Sequence, residues 1–162
     1  MSASNGADAL AARCRALEAR WHREIPISAE MGVGVAGFDG TTLQVHAALA
    51  PNVNVHGTVF GGSLFSVAAL CGWGQVYLQL QQQGLDASIL FVGGSIRCLA
   101  PARDDMQADC IWTADAGNAL ATLPEAGRCR VHLSVAVDSG RARAAEFEGE
   151  YALRLTPAQK SS

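Results

Sequence analysis

Leu10, Cys14, Leu17 and Trp21 recur at steps of four, three and four, which places them on one stripe of a helix over residues 7–24; Pro26 stops it. The pattern then changes to alternation. Met31, Val33 and Val35, followed by Leu43, Val45, Ala47 and Leu49, occupy every second position on either side of Asp39-Gly40, which predicts a β-hairpin. Past Pro51 a polar turn leads directly into an almost uncharged stretch, Gly61 to Gln83, read as one long helix with Gly84 as its C-cap. From Ser88 onward the period is two. Residues 88–101, 106–115, 127–138 and 142–155 read as four strands, with Val131, Leu133, Val135 and Val137 on one face and Arg130, His132 and Ser134 on the other.

A helix that is apolar nearly all round has to be buried on most sides, so the sheet is expected to wrap around it. The predicted architecture is α+β: one antiparallel sheet around a long central helix, with an extra N-terminal helix. The lead-in spans 1–28, a single domain 29–156, and a loose tail 157–162. With 49% hydrophobic and 17% charged residues, the chain is suited to a large core and unsuited to disorder.

Charge and cysteine content narrow the function classes. A formal net charge of -3 gives nothing to attract nucleic acid. The basic residues are unevenly spread, however: none lies between Glu24 and Ile96, while Arg97, Arg103, Arg128, Arg130, Arg141, Arg143 and Arg154 fill the later half as a potential cationic patch. Five cysteines without a CxxC pair indicate neither a disulfide framework nor a metal site, and fit the reduced thiols of a cytoplasmic protein. Glycines and glutamines interrupt the apolar run from Val59 to Leu80, which argues against a membrane span.

Between Thr41 and Leu85 there is no Asp, Glu, Lys or Arg. Chemistry in this stretch has to rest on amides, hydroxyls, imidazole and backbone N–H groups. Gly57, Gly61 and Gly62 allow tight turning and close approach of the backbone to a ligand. The N–H groups of Gly61 and Gly62, at the positive end of the helix dipole, are candidates for an oxyanion hole. Asn52, Asn54 and Thr58 add neutral donors, and His56 is a candidate proton source or base; the alternative is that these residues only shape the turn. Val59, Phe60 and Phe65 supply apolar surroundings. Gly93-Gly94-Ser95 interrupts an apolar strand, marking either a bulge or a place where a ligand chain passes the backbone.

The order of elements and the polar turn before the long helix resemble the hotdog-fold superfamily of acyl-thioester enzymes, in which dimerisation completes the sites. One branch carries Asn-x-x-Gly-x-x-His-Gly-Gly with an acid seven residues later. The corresponding residues here are Asn54, Gly57, Phe60, Gly61, Gly62 and Ala69, so the histidine and the acid are both replaced by apolar side chains. A closer resemblance runs from IPIS and MGVGVAGFDG through LAPNVNVHGTVFGGSLFSVAALCGWG to SIRCLAP and FEGEYALRL. It is to the thioesterase-like domain that also follows acetyltransferase domains and is associated with malonyl-ACP decarboxylation; the resemblance implies the stand-alone form as the expectation for this chain. The resemblance implies decarboxylation of malonyl-ACP, or malonyl-CoA, to the acetyl thioester that feeds fatty acid synthesis. It also implies a homodimer, with a tetramer as a further alternative, and no cofactor beyond the phosphopantetheine of the acyl carrier protein or CoA. The carrier is acidic, and Arg97 and Arg103 are the first candidates to meet it. Decarboxylation suits these residues because it needs no base in its main step, whereas hydrolysis does. Thioester hydrolysis through His56 or an Asn-held water, and a non-catalytic carrier-binding module, stay open as alternatives.

Overall fold

The computed structural model describes residues 2–157; the tail expected at 157–162 lies, from residue 158 on, outside the described residues. The amphipathic stripe forms α1, Ser2–Glu24, with Leu17 and Trp21 buried and Leu10 and Cys14 packed beside them. Pro26 ends this helix but also opens a short one, α2 at Pro26–Glu30, because the first helical turn needs no N–H from proline. The hairpin follows as β1, Gly34–Phe38, and β2, Thr42–Ala47. Both strands are shorter than predicted, since Met31, Val33 and Leu49 continue the burial pattern outside the ladder. Asp39 builds the turn between them: Oδ1 accepts the N–H groups of Thr41 at 2.8 Å and Thr42 at 2.7 Å. These bonds, Thr42 first, hold the Asp39 carboxyl below its ordinary pKa.

A 3-10 turn at Ala50–Asn52 precedes the long helix α3, Gly61–Gln83, whose boundaries match the sequence reading. Gly84 closes it in the left-handed conformation at φ 64°, which glycine adopts without a Cβ penalty. Beyond it lie β3 (Ala87–Cys98), β4 (Met106–Ile111), two short helices α4 (Ala114–Ala121) and α5 (Leu123–Ala126), then β5 (Arg128–Ser139) and β6 (Ala142–Leu155). The strand expected to run to Asp115 therefore stops at Ile111. Thr113 caps α4 there, its Oγ1 accepting the N–H of Ala116 at 3.2 Å, and the helix buries Ala116 and Leu120.

The six strands form one antiparallel sheet in the order β1-β2-β4-β5-β6-β3. Helix α3 crosses its concave face and touches β2, β3, β4, β5 and β6, burying Leu64, Val67, Ala68, Cys71, Val76, Leu78 and Leu80. Two glycines make the fit possible. A Cβ on Gly72 would overlap the Tyr151 hydroxyl, which donates to Ala69 O at 2.9 Å, and one on Gly74 would meet the Trp21 ring at 2.6 Å. The far end of α3 is tied to the hairpin. Gln75 donates to Thr41 O, and both Gln79 and Gln82 donate to Gly40 O.

Candidate functional site

The segment entering α3 is a small stapled loop. Val53 bridges Val59, Asn54 N donates to Thr58 O at 2.8 Å, and Gly57, at φ 74°, donates to Asn54 O at 3.0 Å. Asn54 fills the loop interior: Oδ1 accepts from the N–H groups of His56 (2.9 Å) and Thr58 (3.2 Å), and Nδ2 donates to Thr58 Oγ1 (3.0 Å) and Val59 O (3.4 Å). Asn52 is only 3% exposed. Its Nδ2 donates to Met31 O at 2.8 Å and Ala48 O at 2.7 Å, and its carbonyl accepts from Phe60 N at 2.8 Å. Both of its amide hydrogens are thus spent on backbone carbonyls. The donor role expected of Asn52 is corrected to a positioning one: it pins the start of α3 to the chain around Met31 and Ala48.

What remains free is the backbone at the start of α3. Phe60 is the N-cap, at φ −61° and ψ 133°, with no side-chain cap, and its carbonyl accepts from Ser63 and Leu64. The N–H groups of Gly61 and Gly62 find no acceptor among the described residues, and both glycines are exposed. Four unpaired N–H groups are the ordinary condition of a helix start, and here the first two face outward with the positive end of the dipole behind them. Gly61 lines a cleft of about 380 Å³ together with Thr58, Val59, Leu64 and the segment Cys98–Ala102. The two walls are joined by a bond from Val59 N to Ala102 O at 2.8 Å. Phe60, 57% exposed, lies over Gly62, where a Cβ would overlap its ring. Among the described residues, no carboxylate or imidazole lines the cleft.

The other predicted site residues are dispersed. His56 is exposed near the loop tip, beside Val55, and is not among the cleft-lining residues. Phe65 faces the sheet, packed edge-on against Phe91 and Phe147 at 6.0 and 5.3 Å between ring centroids. Gly93-Gly94-Ser95 pairs in regular register with Glu150, Gly149 and Glu148, and the β3–β6 register shift falls one residue earlier, between Phe91 and Gly93. A Cβ on Gly94 would also press on Glu148 O at 2.7 Å. These three residues line a shallow groove with His132, Glu148 and Glu150, separate from the cleft at Gly61. Arg97 donates to Glu146 at 2.9 Å, while Arg103 is exposed on the segment following the cleft wall, beside Asp104 and Asp105.

Sequence reasoning missed Cys98, which ends β3 exposed and lines the cleft. Nothing in its local sequence marks it, because its position depends on β3 returning alongside α3. Cys71 and Cys110 are packing residues, as read for Cys71; burial pushes both thiols up, Cys110 to about 12. No group of three metal-ligating side chains occurs among the described residues, and no helix is long and apolar enough to cross a membrane.

A single antiparallel sheet packed against a long helix, with a further helix at the N-terminus, is the hotdog fold of thioesterase-like proteins. The chain belongs to the family described as "Putative thioesterase (yiiD_Cterm)", whose model matches residues 14–155. It is similar in structure to the "putative thioesterase" of Shewanella oneidensis, with a TM-score of 0.82 and 32% identity over 89% of this chain and 98% of that one. A protein of unknown function from Chlorobaculum tepidum superposes with a TM-score of 0.83 at 27% identity, covering 88% of this chain and 94% of that one. A probable thioesterase of Pseudomonas aeruginosa shares the fold, with a TM-score of 0.74 at 18% identity over 88% and 95%.

Proposed function

We propose that the protein is an acyl-thioester enzyme that decarboxylates a malonyl thioester, on acyl carrier protein or CoA, to the acetyl thioester. One observation carries this reading: the cleft at the start of α3 offers the free amide of Gly61 and, among the described residues, no carboxylate or imidazole to activate water. The substrate carbonyl oxygen accepts from the N–H group of Gly61, which lines the cleft, with the Gly62 N–H next to it at the helix start. The bond between the carboxylate carbon and the α-carbon breaks, CO₂ leaves, and the bonding electrons pass into the carbonyl as an enolate. Charge grows on that oxygen in the transition state, so donors fixed beforehand stabilise the transition state more than the ground state. The enolate carbon then takes a proton from water, giving the acetyl thioester. Asn52 and Asn54 serve this step by holding the loop that sets the helix start, and Thr58, Val59 and Leu64 form the surrounding wall.

Hydrolysis is the second reading, favoured by the descriptions of the family and of the Shewanella oneidensis protein, both "putative thioesterase". It requires a base; His56 is the nearest imidazole in sequence, and catalysis by a positioned base is worth about 100 to 10,000-fold. A homodimer suits either chemistry. Strand β3 is an edge strand of 12 residues, uncharged from Ala87 to Ile96, paired only with β6 among the described residues. Such an edge is a template for a second strand.

Incubation with malonyl-ACP and with malonyl-CoA, followed by mass spectrometry of the products, tests the proposal. The expected products are the acetyl thioester and CO₂. Free thiol with released malonate establishes hydrolysis instead, and unchanged substrate leaves a binding module.

A further inference from the structure

The arginines of the later half do not all have partners. Arg97 is paired with Glu146, Arg130 with Glu150 and Arg143 with Asp138. Arg128 and Arg154 form no ion pair among the described residues, although the β5–β6 register sets them directly opposite each other. Like charges facing across a ladder destabilise a sheet, so this pair is a local cost of the fold. It is also a concentration of positive charge on a protein of net charge -3. The neighbouring turns carry Asp86 and Glu125, and neither forms an ion pair with this pair.

The two arginines stand over a trough of about 730 Å³ on the sheet, with Arg130, Ser88, Leu90 and Ala152. Leu90, 67% exposed, gives it an apolar floor beside the guanidinium groups. Arginine is enriched at protein–protein interfaces, and the exposed aliphatic surface beside it is area that a partner can bury. Its charge selects an acidic partner.

We infer that this trough, centred on Arg128, Arg154 and Leu90, is the docking surface for an acidic acyl carrier protein; the choice of partner rests on the acyl-thioester reading above. It replaces the expectation that Arg97 and Arg103 meet the carrier, since Glu146 neutralises Arg97 and Asp104 and Asp105 flank Arg103. The trough lies at the Leu90 end of β3 and the cleft at its Cys98 end, roughly 26 Å apart along the strand at ~3.3 Å per residue. In a twofold dimer paired through β3 the strands run antiparallel, which sets the trough of one protomer, on the sheet face away from α3, alongside the end of β3 where its partner's cleft opens on the α3 side. A carrier docked on one copy then serves the other.

The test is binding of holo acyl carrier protein without an acyl group, measured by calorimetry, so that the result does not depend on which reaction the cleft performs. Arg128→Glu turns the like-charge pair into an opposite pair with Arg154, so the fold is kept while the patch is neutralised. The expected result is affinity at least tenfold weaker than wild type with an unchanged or higher melting temperature, and a smaller salt dependence of what binding remains. Arg128→Gln gives a second variant with the same expected direction. Wild-type affinity in both variants, or a loss produced by Arg97→Glu or Arg103→Glu instead, overturns the assignment. So does failure of the wild-type protein to bind the carrier, even where it turns over malonyl-CoA. Sedimentation showing a monomer at assay concentration overturns delivery between copies.

Discussion

Replacing Gly61 by proline removes one candidate oxyanion donor and little else. Gly61 is the first residue of α3, where proline is favoured because its missing N–H has no helical acceptor to lose. Phe60, at φ −61° and ψ 133°, already has the extended conformation that a residue before proline requires. A Cβ at Gly61 meets nothing within 4 Å, and its N–H makes no bond among the described residues. The stability change is therefore small, and a gain of about 0.4–1 kcal/mol is expected from the stiffer unfolded chain. Turnover behaves differently. One preorganised oxyanion donor is worth about 3–4 kcal/mol, so kcat on malonyl thioester should fall roughly 10² to 10³-fold. Gly61→Ala is the control, since it adds a methyl group to the cleft wall while keeping the N–H. The assay pairs a thermal melt with mass spectrometric product analysis on wild type and both variants. Proline turnover within threefold of the alanine variant removes the Gly61 amide from the mechanism, and a large fall in melting temperature refutes the account of the helix start.

Asn52→Ala should act on stability first, because it deletes two buried hydrogen bonds to Met31 O and Ala48 O. At about 1 kcal/mol each, plus the cost of carbonyls left unpaired, the loss is about 2–4 kcal/mol, read as a melting temperature about 5–15 °C lower; a lost activity with unchanged melting would return Asn52 to the catalytic donors. Burial raises the Cys71 and Cys110 thiols, the latter to about 12 from 9.0. A folded pKa above the unfolded one stabilises the fold fully below the unfolded value and is lost as pH rises through the folded one. Stability should therefore decline between pH 9 and 12, and at pH 8 iodoacetamide should label exposed Cys98 in the native protein while leaving Cys71 and Cys110 unmodified, as peptide mass spectrometry would show.

The elements readable from sequence are those whose signals are local. Helix α3 was legible from Gly61 to Gln83 because an uncharged run ends at a glycine that takes the left-handed cap, and the inner face of β5 because Val131, Leu133, Val135 and Val137 alternate. Helices α4 and α5 were missed although Thr113 and Gly127 bound them, since strand-like Cys110-Ile111-Trp112 runs directly into the cap. The proline at residue 26 showed the same ambiguity, ending one helix and starting the next.

The sequence by itself determined that the turn before α3 holds no carboxylate, lysine or arginine, and hence that any chemistry there uses neutral donors or the His56 imidazole. Which donors are free was decided only by the tertiary structure. Asn52 loses its amide hydrogens to Met31 and Ala48, residues 21 and four positions earlier, and Asn54 turns inward on Thr58. Cys98 enters the cleft, Phe65 leaves it for the aromatic contacts with Phe91 and Phe147, and Arg128 comes to face Arg154. A residue type fixes what a side chain can donate or accept. Its partners are set by chain segments far away in sequence, and these settle whether that capacity is spent on the fold or left for a substrate.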